Sequence, residues 1–169
     1  EVAPEVAPEP VPEAAPSENA AVVRFTLFPI RGVRSLQGLR ASVGDSGFSI
    51  VLKLNRIDEG HARAGDTLIV PEPLVPLFEL SPLPDSLDAA ADLPKLLVVS
   101  QRVQAFGAYE RGPLIRWGPV STGRSAYPTL PGLYHTNWKS KERRSTFNED
   151  WLMPWYWNIE SRLGISLHQ

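Results

Sequence analysis

The sequence predicts a mainly β chain with a minor α contribution, arranged as a small mixed module followed by a β meander. Three observations carry this. Apolar residues alternate with period two after Pro94, they recur at helical spacing between two strand-like runs from Val22 to Pro71, and proline-rich stretches flank both regions. A chain of 169 residues buries one ordinary core, or a small module beside a larger one, so at most two domains are expected.

Residues 1–20, EVAPEVAPEPVPEAAPSENA, contain five prolines and an imperfect repeat of EVAP. Proline removes backbone donors and favours polyproline II, so this acidic segment is expected to be a solvated, semi-rigid spacer. It is read either as a tether that holds a domain off an anchoring surface or as a disordered tail that only aids solubility. The chain begins with Glu1 and lacks a basic start followed by an apolar core. A processed or trimmed N-terminus is therefore expected.

From Val22 to Pro71 the composition turns globular. The strand-like VVRFTLFPI is followed by SLQGLRASVG, then FSIVLKLN, then GDTLIVP. Leu36, Leu39 and Val43 recur at helical spacing, as do Ile50 and Leu54. Two short helices are expected, each with one apolar face turned to a very small sheet.

This order of strand, helix, helix, strand resembles a lysin-motif (LysM) domain. The matching residues are Leu54 and Asn55 at the close of the second helix and the ending Gly65, Leu68, Val70, Pro71; GVRSL departs from the usual G-D-T/S-L turn. The resemblance implies docking on the N-acetylglucosamine backbone of peptidoglycan or chitin, with Asn55 as the glycan-binding candidate. A degenerate module that only packs against its neighbour is the competing reading.

Residues 72–94 are again proline-studded and are expected to form the domain linker, pinned by Leu74, Leu77, Phe78 and Leu80. The last domain is expected over 95–169. KLLVVS, RVQAFGAYE and PLIRWGPVSTG read as strands, with a turn at Glu110, Arg111 and Gly112. Val103, Ala105, Gly107 and Tyr109 share one face, and Leu97 and Val99 alternate in the preceding strand, which predicts a meander with one buried side.

Composition removes several functions. Net charge is −2, so the molecule as a whole has no electrostatic reason to seek nucleic acid or an anionic membrane. With no cysteine it has no disulfide, no thiolate nucleophile and no sulfur-built metal site. The densest apolar run, Leu96 to Val99, is strand-sized, so no transmembrane segment is expected. His61, His135 and His168 are far apart and lack metal-ligand spacing. Ser121 and Ser166 lie in no nucleophile elbow. Neither a metal nor another cofactor is expected.

Three motifs in order, VSTG at Val120–Gly123, TLPGLY at Thr129–Tyr134 and MPWYWNIESRLGISLHQ from Met153 onward, resemble the catalytic domain of bacterial L,D-transpeptidases. Met153, Pro154, Trp155 and Tyr156 match its Met-Pro-aromatic element. Gly164, Ile165, Leu167 and His168 match the strand that carries its first motif histidine. The T-P-x-G turn departs as Thr129-Leu130-Pro131-Gly132, and Gln169 stands where Gly or Ala is usual. The implied fold is a β-sandwich of that type, here its N-terminal, incomplete part.

The resemblance implies covalent acyl transfer on peptidoglycan stem peptides in the periplasm or cell envelope of a bacterium. A cysteine thiolate attacks the stem, D-alanine leaves, and an amine resolves the thioester. The family's S/T-H-G-C element, with cysteine and histidine, would follow Gln169, so no catalytic residue is assigned and the chain as written is expected to be inactive. It is also expected to leave an unpaired edge and to be aggregation-prone. His168, Met153, Trp155 and Tyr156 are the substrate-facing candidates. The alternative is a non-catalytic envelope protein that binds peptidoglycan.

Two surface features stay open at this level. Trp138, Trp151, Trp155 and Trp157, with Phe147 and Tyr156 between them, serve either as core or as a sugar platform. KSKERR, Lys139–Arg144, reads as a solvated loop of mixed charge or as a contact for stem carboxylates.

Overall fold

The computed structural model describes residues 22–146 and 148–168. The spacer expected over 1–20, along with Phe147 and Gln169, lies outside the described residues. Of the described residues 33% are in strands and 20% in helices, so this part is mainly β, in three small antiparallel sheets. It divides into two compact units, the first ending at Pro119 and the second starting at Val120.

The first unit opens with β1 (Arg24–Pro29), which pairs antiparallel with β2 (Thr67–Glu72) so that Leu27 faces Ile69 and Thr26 faces Val70. Between them runs α1 (Val33–Leu54), broken at Gly44, whose φ of 72° and ψ of 169° are not helical. That backbone region is open essentially to glycine alone, so Gly44 splits α1 into the two segments that the apolar spacing predicts. At the helix start, where GVRSL departs from the LysM pattern, Ser35 Oγ accepts from the Arg31 N–H at 3.0 Å and donates to the Gly32 carbonyl at 2.7 Å. Two local groups at this helix terminus are thereby satisfied without a side-chain N-cap.

Leu36, Leu39, Phe48, Val51, Leu68 and Val70 form the core of this module. Ile50 and Leu54, expected to face the same small sheet, pack instead on a second cluster around Leu80, Tyr109 and Trp117. The second helical segment therefore has two apolar sides, one for each cluster. Its neighbours explain why.

The meander follows as β3 (Leu96–Ser100), β4 (Ala105–Tyr109) and β5 (Leu114–Pro119), in that spatial order. Ala105, Gly107 and Tyr109 are all buried, as their period-two spacing predicts. In β3 the half-buried residues are Leu96 and Val98, while Leu97 and Val99 are exposed. Four apolar residues in a row make both faces of β3 look alike, so alternation alone picks the wrong one. Between β4 and β5, Arg111 and Gly112 both have positive φ and the Glu110 N–H donates to the Pro113 carbonyl at 3.0 Å, a two-residue hairpin turn.

The expected linker 72–94 is woven into this first unit. Leu77–Leu80 forms a 3-10 turn with Leu80 buried, and Leu74 reaches Gly47 of α1. Tyr109 donates its hydroxyl to the Pro84 carbonyl at 3.0 Å, Trp117 donates its indole N–H to the Leu77 carbonyl at 2.6 Å, and the Leu114 N–H reaches the Asp85 carbonyl at 2.7 Å. Trp117 is only 4% exposed, so its buried N–H needs that partner. The boundary expected within 72–94 thus falls inside one unit, and the meander groups with the N-terminal module.

The second unit contains β6 (Lys139–Arg144), β7 (Leu152–Glu160) and β8 (Ile165–Leu167), ordered β6-β7-β8. KSKERR, read as a loop, is the strand β6. It is held by its ladder to aromatic β7, from Lys139 opposite Trp157 to Arg144 opposite Leu152. Among the described residues no helix is long and apolar enough to cross a membrane.

Candidate functional site

The β7 strand, LMPWYWNIE, is rich in the aromatic residues that suit a pleated, half-buried surface. Proline cannot donate to a ladder and is disfavoured in a central strand. Pro154 is tolerated because, among the described residues, pairing with β8 begins only at Trp157 and the strand beside Pro154 is β6.

Between these two stretches stands Trp155, with φ at 53°. A left-handed tryptophan costs on the order of 1–3 kcal/mol and persists only where its surroundings enforce it. Lys141, its counterpart by register, drops out of the ladder, and Ser140 Oγ bonds the Glu142 carbonyl across the gap at 2.6 Å.

One face of the sheet is interior. Tyr156, 6% exposed, stacks at 5.0 Å on Trp138 with the rings inclined by 33°, and the Arg143 guanidinium lies 4.8 Å from the Trp138 centroid and 5.1 Å from that of Tyr156. Asn158, 2% exposed, is satisfied on both ends of its amide. Its Oδ1 accepts from Asn137 Nδ2 and from Ser161 Oγ, each at 3.0 Å, and its Nδ2 donates to the Tyr156 hydroxyl oxygen at 3.4 Å.

The other face is open. Trp155 is 57% and Trp157 41% exposed, and the Lys139 ammonium lies 5.4 Å from the Trp157 ring centre. His168 is exposed one residue beyond Leu167, which pairs with Trp157. Met153 is half-buried opposite Arg143, four residues up β7 from Trp157 and so about 13 Å along the strand at ~3.3 Å per residue.

Of the expected substrate-facing residues, Trp155 and His168 therefore reach the surface and Tyr156 does not. Its ring is part of the unit's packing. Trp157, left open by the sequence between core and sugar platform, and Lys139 and Lys141, left open between solvated loop and ligand contact, share the open surface. The two-residue spacing of Trp155 and Trp157 was the available signal.

The other motif segments are local ties. The Gly123 N–H donates to Thr129 Oγ1 at 2.9 Å, linking VSTG to TLPGLY. A Cβ at Gly123 would sit 2.2 Å from the Tyr127 carbonyl oxygen, so only glycine fits there. Tyr134 donates its hydroxyl to the Leu130 carbonyl at 2.8 Å. Ser121 is exposed, and Ser166 is half-buried opposite Asn158.

Asn55, the glycan-binding candidate, spends its amide on the fold. Nδ2 donates to the carbonyls of Val51 and Ile69 at 2.8 Å each, and Oδ1 accepts from the Ile69 N–H at 2.8 Å. Little of that amide remains for a sugar. His61 is likewise committed, to Asp58 at 2.6 Å, and this hydrogen bond holds the Asp58 carboxyl below its ordinary range. A shallow depression of about 330 Å³ lies between the 3-10 turn and β5, lined by Leu77, Phe78, Ile115, Arg116 and Trp117. It contains none of the expected site residues.

Comparison of the chain with family models, with curated proteins and with solved structures finds no match in any of the three.

Proposed function

We propose that this chain is part of a peptidoglycan L,D-transpeptidase of the bacterial envelope, contributing substrate-facing strands of the catalytic domain and a LysM-like module. The observation that carries the reading is the antiparallel pairing of β7 with β8, which sets the Met-Pro-Trp-Tyr strand beside the strand leading to His168. The strand–helix–strand order of the first module, with Asn55 at the helix end, supports the LysM-like half.

These 169 residues hold no cysteine, so the acyl-enzyme step does not belong to them. Their part is to bind and orient a stem peptide, with Trp155 and His168 on the accessible side. A second reading, peptidoglycan binding without chemistry, is favoured by the same exposed tryptophans.

The test is to express the complete product of the gene encoding this chain and follow D-alanine release from a muropeptide tetrapeptide. Release that depends on a cysteine of that product supports the transferase. A product with no cysteine, or one that leaves the stem intact, ends the enzyme reading. Retention of the 169-residue chain on insoluble peptidoglycan then supports binding alone.

A further inference from the structure

We infer that the open face of β6–β7 is a binding site for an acidic polysaccharide, one whose sugar rings themselves carry carboxylates. The inference stands on the geometry of the second unit and does not rest on the transpeptidase reading.

The site consists of two rails in register. β7 presents Trp157, Trp155 and Leu152, all exposed, and β6 presents Lys139, Lys141 and Arg144, also exposed. Lys139 is paired with Trp157, and Arg144 with Leu152. Lys141 lies beside Trp155 where the ladder opens, so each large apolar side chain has a cation as its lateral neighbour. From Lys139 to Arg144 the rails run about 16 Å at ~3.3 Å per residue, enough for several pyranose rings.

Chemistry selects the occupant. The axial C–H bonds of a pyranose carry partial positive charge and pack on the negative face of an indole. A carboxylate on the same ring then meets the neighbouring ammonium or guanidinium. Charge is lopsided here although the whole chain is net −2: Lys139, Lys141 and Arg144 of β6 are exposed against Glu142, while Arg143 lies over Trp138 and Tyr156 on the other face. Among the described residues none of the three exposed cations is in a salt bridge, and Arg144 donates to the Glu149 carbonyl at 2.7 Å. In the free protein Lys139 rests over Trp157, where a ligand carboxylate would draw it off the ring.

Two indoles, each beside a cation of the neighbouring strand, suit a polymer with one charge per sugar. A membrane-docking surface is built otherwise, as an apolar face with cations about its rim. The left-handed backbone at Trp155 fits the same role, because it turns a large ring outward between two paired stretches of β7 at an energetic cost.

The test is a tryptophan-fluorescence titration of the 169-residue chain with a galacturonic acid hexamer, its methyl ester, and phosphatidylglycerol vesicles. The acidic hexamer is expected to change the emission, and its affinity to fall as salt rises. The variant K139Q/K141Q is expected to weaken binding about tenfold, as is Trp155→Gly, which removes the indole while easing the backbone. Lys95→Gln in the first unit serves as the control and is expected to bind normally.

The two lysines are exposed, so K139Q/K141Q keeps the test valid even if Trp155→Gly fails to fold. Equal binding of the neutral ester, binding of vesicles alone, no response to the hexamer, or undiminished binding by a K139Q/K141Q variant that melts like the parent would each overturn the inference.

Discussion

The side-chain amide of Asn55 grips Ile69 at both backbone groups, accepting from its N–H and donating to its carbonyl, each at 2.8 Å. It imitates one residue of an added strand on the free edge of β2. The end of α1 is thereby fastened to the sheet that its own chain leads into.

Replacing Asn55 tests whether it serves fold or ligand. Asn55→Ala is expected to lower unfolding free energy by about 1–2 kcal/mol, read from urea denaturation, since it removes several partly exposed hydrogen bonds at once. Asn55→Asp keeps the acceptor but sets a carboxylate against the carbonyls of Val51 and Ile69, and is expected to be no better. Unchanged stability in both variants would contradict a structural role.

Gly44 offers a second test of the first module. Its φ of 72° with ψ of 169° is a conformation that a Cβ makes costly, and no atom stands within 4 Å of where that Cβ would be. Any loss in Gly44→Ala then comes from backbone strain rather than from collision. A loss of about 1–3 kcal/mol is expected in chemical denaturation; a gain would mean that α1 continues unbroken.

Alkaline pH reports on the packing of Tyr109. Burial, and then the negative charge of Asp85, push its phenol above the ordinary value of 10.0. A raised pKa in the folded state means that the stabilisation is complete below about pH 10 and drains away as pH climbs through the folded value. Ultraviolet titration should show a phenol that ionises above the ordinary value. In Tyr109→Phe that late step should be missing; its persistence there would assign it to another tyrosine.

Asn158 tests the second unit. Replacing it by Leu leaves Asn137 and Ser161 without their shared acceptor in a site that is 2% exposed. The expected cost is about 1–3 kcal/mol, seen as a lower melting temperature. If the variant melts at or above the parent temperature, the network is not a net stabiliser.

The first module was legible because its signals are local: period-two runs for β1 and β2, helical spacing for α1, and a glycine where the helix breaks. What escaped the sequence reading is long-range. The Trp117 indole finds the Leu77 carbonyl across forty residues, and nothing in the proline-rich segment announces that acceptor. β6 escaped because KSKERR has no apolar alternation of its own and borrows its strand character from β7. Trp155 and Tyr156 are adjacent in sequence and differ from surface to interior, so one motif supplied both an accessible ring and a buried one.

The weaving of residues 77–87 through the first unit has a practical corollary for dissecting the molecule. Scission after Pro94, the point that composition recommends, would part the Trp117 indole from Leu77, the Tyr109 hydroxyl from Pro84, and Leu114 from Asp85. Both fragments would carry frayed ends of one core. Scission between Pro119 and Val120 leaves every one of those bonds within a single piece, and that is where limited proteolysis should find its stable products.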